Sequence, residues 1–188
     1  MRTFLVLLSV GVVLPGPTPG AQEVRPAPAE AAAIRQFDTA IAEYMAMRRR
    51  LANEIASPVP NSSSKELNNA SDALAGAIVR ARQKAAVGDL FVSPVTPVFK
   101  RRVDEAMRSA GLKKALAGID DEEPTIRAPK LHLRFPASSE MATMPPSLLA
   151  VLPGIPKELE YRIIGRFLVL RDVDAALIID YVSDLIPR

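Results

Sequence analysis

The stretch 159–186, LEYRIIGRFLVLRDVDAALIIDYVSDLI, decides how this chain is built. It divides into three runs, 161–164, 167–171 and 177–182, whose aromatic and branched side chains suit a pleated, half-buried surface. Gly165-Arg166 separates the first two. Glycine takes a positive φ without a Cβ clash, so it fits the first central position of a two-residue type II′ hairpin turn. The second break, 172–175, carries Asp172 and Asp174, whose carboxylates can bond nearby backbone and hold a longer turn. The expectation is an antiparallel meander with Leu168 and Leu170 on one face and Phe167, Val169 and Arg171 on the other. A small sheet apolar on both faces is marginal alone, so helices from elsewhere should cover at least one face.

The run YRIIGRFLVLRDVDAALIID, with MPPSLLAVLPGIPKELE before it, resembles the C-terminal segment of uncharacterised exported bacterial proteins that share a YRxxGRxLxLxDxxAxLIxD pattern. The resemblance covers about the last third of the chain and implies export and kinship, with no activity attached. The last two strands also resemble the hairpin of small periplasmic proteins linked to nickel and cobalt homeostasis. A chain with one His and no Cys offers few of the ligands such metals take.

Outward from the sheet, the N-terminus reads as a secretory leader. Met1 and Arg2 precede an apolar run, 4–14 (FLVLLSVGVVL), and the Pro- and Gly-rich 15–21 (PGPTPGA) breaks it, with Gly20 or Ala21 as the last residue removed. Eleven helical residues rise only about 16 Å against a bilayer core of about 30 Å, so the expectation is no permanent membrane span after cleavage. The chain is then exported and bacterial, periplasmic or secreted, and lacking Cys it must hold together by burial alone. The net charge of +3 falls to +2 once the leader's arginine is gone, which offers no footprint for nucleic acid.

The pattern predicts a signal peptide over 1–21, a Pro/Ala-rich tether over 22–30, a helical region over 31–117 and a small β-meander region with one short helix over 118–188. The fold class is α+β, with an N-terminal antiparallel helical hairpin and a third helix preceding the sheet. Ile34, Phe37, Ile41, Tyr44, Leu51 and Ile55 form one stripe at three- and four-residue steps, with Arg48 in one slot. Ser63 and Glu66 spell a capping box. The stripe of the second helix runs from Leu67 through Leu74 and Ile78 to Ala85, and Gly88 stands where a left-handed C-terminal cap belongs. Ser93-Pro94 predicts an N-cap and first turn for the third helix. The alternating 130–135 (KLHLRF), bracketed by Pro129 and Pro136, predicts an edge or isolated strand, and Pro145-Pro146-Ser147 predicts the short helix.

Chemistry is harder to find. His132 is the sole imidazole and lies on the polar side of the 130–135 alternation, without the companions a triad or zinc site needs. Ser62-x-x-Lys65 lacks the partner motifs of a penicillin-binding enzyme and is explained by helix capping. The acidic 118–123 lacks the ligand alternation and glycine bend of a calcium loop. No catalytic, cofactor-binding or metal-binding residue is assigned, and no cofactor is expected. The leading expectation is a non-enzymatic binding protein of the cell envelope with a protein partner. Its interaction candidates are Phe37 and Tyr44 on the long apolar stripe and the basic clusters Arg48, Arg49, Arg50 and Lys100, Arg101, Arg102. One alternative is an envelope-directed hydrolase, which needs two carboxylates among Asp104, Glu105, Asp120, Asp121, Glu122, Glu123, Glu140, Asp172 and Asp174 to meet in a cleft. The other is carriage of a small ligand or metal.

Overall fold

The computed structural model describes residues 27–55, 61–108, 128–135 and 144–185. The leader, the start of the tether, the acidic 118–123 and Glu140 lie outside them. Among the described residues four helices precede three strands: α1 (Pro28–Asn53), α2 (Ser64–Ala81), α3 (Val95–Ala106), α4 (Pro146–Leu149), β1 (Leu159–Ile164), β2 (Phe167–Asp172) and β3 (Leu177–Val182). The architecture is α+β with a C-terminal meander, and the sheet order is β1-β2-β3 with both pairs antiparallel.

α1 starts three residues before the expected helical region at 31, because Pro28 at the first helical position has no N–H to leave unpaired. At 26 residues it is about 39 Å long. The capping box of α2 forms as read: the Ser63 hydroxyl accepts from the Glu66 amide at 3.3 Å, and the Glu66 carboxylate accepts from the Ser63 amide at 2.7 Å. The Ser63 amide, and then the Ser63 hydroxyl donating to the same carboxylate oxygen, hold the Glu66 carboxyl below its ordinary pKa. Two boundaries differ from expectation. α2 stops at Ala81, not near Gly88, because Arg82 leaves helical geometry and sends its guanidinium to the sheet. α3 begins at Val95, and Ser93 makes no cap; Pro97 then sits in the first turn, where helix amides have no intrahelical partner anyway.

Gly165 has φ +54 while Arg166 does not enter the left-handed region, which is the II′ signature, and Ile164 pairs with Phe167 across the turn. A Cβ at Gly165 would meet nothing within 4 Å, so the demand there is on backbone conformation alone. Between Leu170 and Arg171 the β2–β3 register slips: Leu170 faces Asp180 and Arg171 faces Ile178, leaving Ile179 unopposed as a bulge. The extra residue interrupts the two-residue alternation. Leu177 before the bulge, Ile179 in it, and Asp180 and Val182 after it therefore all turn toward the helices.

One core joins helices and sheet. Phe37, Ile41, Tyr44, Leu74, Ile78, Phe91, Phe99, Leu148, Tyr161, Leu168, Leu170 and Ile179 belong to a single buried cluster, so the helical region is docked on the meander. Its centre is aromatic: Phe37 stacks on Phe91 at 5.9 Å, Phe99 meets both edge-on, and Phe91 continues to Tyr161 on β1. The sheet faces divide as the alternation predicts, with Leu168 and Leu170 in this core. The opposite face carries a smaller cluster of Phe135, Ile164, Val169 and Ile178.

The segment 130–135 is a correction to the simple strand. Leu131 and His132 form a turn, with His132 at φ +65, and only Arg134 makes a bridge, to Leu177. Three backbone bonds still seat the segment on the outer edge of β3: His132 N–H to Ile178 O (2.8 Å), Ile178 N–H to Leu133 O (3.0 Å) and Phe135 N–H to Ala176 O (2.6 Å).

Candidate functional site

A charged slot in an apolar stripe leads to the first polar centre. Arg48, on the buried face of α1, meets the turn that ends β2. Its Nε donates to Asp172 Oδ2 at 2.6 Å and its Nη2 to Asp174 Oδ2 at 2.5 Å, while Tyr44 O–H donates to the same Asp172 Oδ2 at 2.8 Å. Asp172 Oδ1 accepts the Ala175 amide at 2.9 Å, tightening the turn as an aspartate in that position should. Burial opposes the Arg48 charge, but Asp172 and then Asp174 outweigh it and hold the guanidinium pKa above its ordinary value. Burial and the adjacent Asp172 push the Tyr44 phenol far up, so it stays a donor.

The second centre is built on the bulge. Asp180, fully buried, accepts from the main-chain amides of Gly88 (2.9 Å), Leu90 (2.8 Å) and Phe91 (2.8 Å). Gly88, at φ +92, therefore aims its amide at a carboxylate and does not cap α2. The carbonyl of Ile179 accepts from Arg82 Nη1 at 2.8 Å, and the Arg82 guanidinium lies 5.5 Å from the Tyr44 ring centroid. The two centres thus form one chain, from Arg48 and Asp172 through Tyr44 and Arg82 to the bulge beside Asp180.

A third set lies on the far face of the sheet. Arg171, 3% exposed, donates to Phe135 O (2.7 Å) and to Glu160 (2.5 Å), and Arg162 donates to Glu160 at 2.7 Å. Burial raises the Glu160 pKa less than Arg162 and Arg171 lower it, so the net shift is downward.

These placements revise the interaction candidates. Phe37 and Tyr44 are core residues, because α2, α3 and the sheet of the same chain cover the α1 stripe; neither is available to a partner. Arg48 is interior as well. Arg102 donates to Glu30 (2.8 Å) and to Val151 O (3.1 Å), and Arg101 pairs with the same Glu30, so both tie α3 to the start of α1. Arg49, Arg50 and Lys100 are exposed and make no ion pair among the described residues.

Of the carboxylates named for hydrolysis, Asp172 and Asp174 do converge, but on a guanidinium. Asp172 is wholly buried and both its oxygens already accept hydrogen bonds, which leaves no position from which to take or give a proton to a substrate. Asp104 and Glu105 are exposed on α3. Among the described residues no three His, Cys, Asp or Glu side chains group to hold a metal, and no helix is long and apolar enough to cross a membrane. Compared with family models, curated proteins and solved structures, the chain finds no match.

The sequence did hold a signal for the first centre: an arginine in an apolar stripe demands a buried acid, and two aspartates shared one turn. Asp180 gave no such sign, since its partners are backbone amides created by a loop.

Proposed function

We propose that this chain is a non-enzymatic binding protein, exported by its N-terminal leader and engaging an acidic surface of another cell-envelope protein. The observation that carries the reading is the division of labour along Arg48, Arg49 and Arg50. Arg48 pins the C-terminal end of α1 to the β2–β3 turn, while the exposed Arg49 and Arg50 project from that anchored end without ion-pair partners. Cations held on a rigid element lose little freedom on meeting a carboxylate surface, which favours recognition. The resemblance of the C-terminal segment to exported bacterial proteins is in keeping with that location, and in this chain Gly165, Asp172 and Asp180 of that segment serve turns and buried bonds.

The test is cross-linking in the native cell with wild type and with Arg49→Glu/Arg50→Glu. A recurrent envelope partner should be lost in the double variant at an unchanged melting temperature. A partner retained by the double variant would remove this surface from the proposal. A chain that cross-links to nothing would shift the weight to ligand carriage or hydrolysis. N-terminal sequencing of the periplasmic or secreted protein should begin at residue 21 or 22.

A further inference from the structure

The segment that edges β3 is held by an unusual residue. His132 adopts φ +65, a region uncommon for residues other than glycine although His, like Asn and Asp, enters it more readily than most, and its ring Nε2 is buried without a hydrogen-bond partner. The charge acting on the ring is Arg82, itself fixed by the Ile179 carbonyl, the Tyr44 ring and Asp89 at 4.0 Å. Other charges around the segment are already engaged or lie apart. Arg134 pairs with Asp72 at 2.6 Å and bonds Ser71 O, the Asp180 carboxylate takes the loop amides, and Lys130 is exposed. A neutral imidazole fits this place. An imidazolium would bury a second N–H with no acceptor, next to a guanidinium.

We propose that residues 131–135 form an acid-released latch: protonation of His132 drives the segment off the β3 edge and uncovers the outer sheet face. Release breaks the three backbone bonds of His132, Phe135 and Ile178 and the bond from Arg171 Nε to Phe135 O, leaving Arg171 to Glu160, and withdraws Leu133 and Phe135 from Val169 and Ile178, both fully buried when the latch is closed. The sheet centre stays intact, because β2 keeps both neighbours and its helix-facing side belongs to the other core. Burial, then Arg82, holds the His132 pKa below its ordinary value. The closed form therefore has its full stability above the unfolded imidazole's pKa of about 6.5, and loses it as pH falls through the lower folded value.

Amide hydrogen exchange at about pH 7.5 and about pH 5, corrected for intrinsic rates, reads the latch across the range in which histidine titrates. Protection at the His132, Phe135 and Ile178 amides should fall about tenfold or more at the lower pH, while the Leu168 and Leu170 amides of the central strand hold. In His132→Asn, which tolerates a left-handed backbone and cannot titrate, the fall should vanish. Unchanged protection in wild type, an equal fall in His132→Asn, or an equal fall at Leu168 and Leu170 overturns the proposal. Ring titration by NMR of the unaltered protein gives a separate check, and a midpoint at or above about 6.5 also overturns it.

Discussion

Asp172 and Asp180 lie eight residues apart in one hairpin, both fully buried, and the chain neutralises them by opposite means. Asp172 is met by side chains from α1, more than 120 residues earlier: an arginine and a tyrosine that cross-link the helix to the turn. Asp180 is met by main-chain amides of the loop after α2, and so organises backbone, including the placement of Phe91 in the aromatic centre. A carboxylate held by side chains can be released by substituting either partner. One held by amides is disturbed at the aspartate itself or by a proline at an amide position, since no other substitution removes a backbone N–H.

The comparison is broken most severely at Asp180. Asp180→Ala removes the acceptor of four amides, those of Gly88, Leu90, Phe91 and Tyr181, and should cost about 4 kcal/mol in urea unfolding, with Asp180→Asn, which keeps one acceptor oxygen, clearly milder. Arg48→Met should come next, at about 3 kcal/mol, because Asp172 keeps only Tyr44 and the Ala175 amide. Adding Asp172→Leu to Arg48→Met should recover part of that loss, as an apolar pair replaces an orphaned charge; a purely additive loss would deny the coupling. Tyr44→Phe removes one hydrogen bond to Asp172 and should cost about 1.5 kcal/mol, with the aromatic packing intact.

Gly165→Ala is expected to cost about 1 kcal/mol, purely from the left-handed backbone of the β1–β2 turn. The smallest effect concerns acid. Glu160, held below its ordinary pKa between Arg162 and Arg171, contributes stability that is complete above the unfolded carboxyl's pKa and is lost as pH falls through the folded value. Glu160→Gln should flatten the acid limb of a stability–pH curve, and a curve identical to wild type would show that this cluster is not what titrates.

The meander was legible because its evidence is local. Alternation over runs of four to six residues and a Gly-Arg break specify strands, faces and a II′ turn, and all three appear, with β1 starting two residues earlier and β2 ending one residue later than the pattern puts them. The capping box and the α1 stripe are local in the same sense. The early stop of α2 was not legible: Ala81 and Ala85 suit a helix, but the bond from Arg82 to Ile179, 97 residues away, is stronger than the propensity of one more turn. Reading Phe37 and Tyr44 as a partner's surface failed for a related reason. A stripe says that something covers it, and here the chain covers itself.

The sequence by itself determined the element types, the α+β class and the two sheet faces, since the periods of helix and strand are written into neighbouring residues. Tertiary structure alone decided that Ile179 would bulge, that Asp180 would meet the amides of the loop after α2, and that His132 would turn its ring into a site without an acceptor. Each of those outcomes depends on a contact between distant segments, and the energy of a buried charge or hydrogen bond is set by what arrives opposite it, which no local pattern encodes.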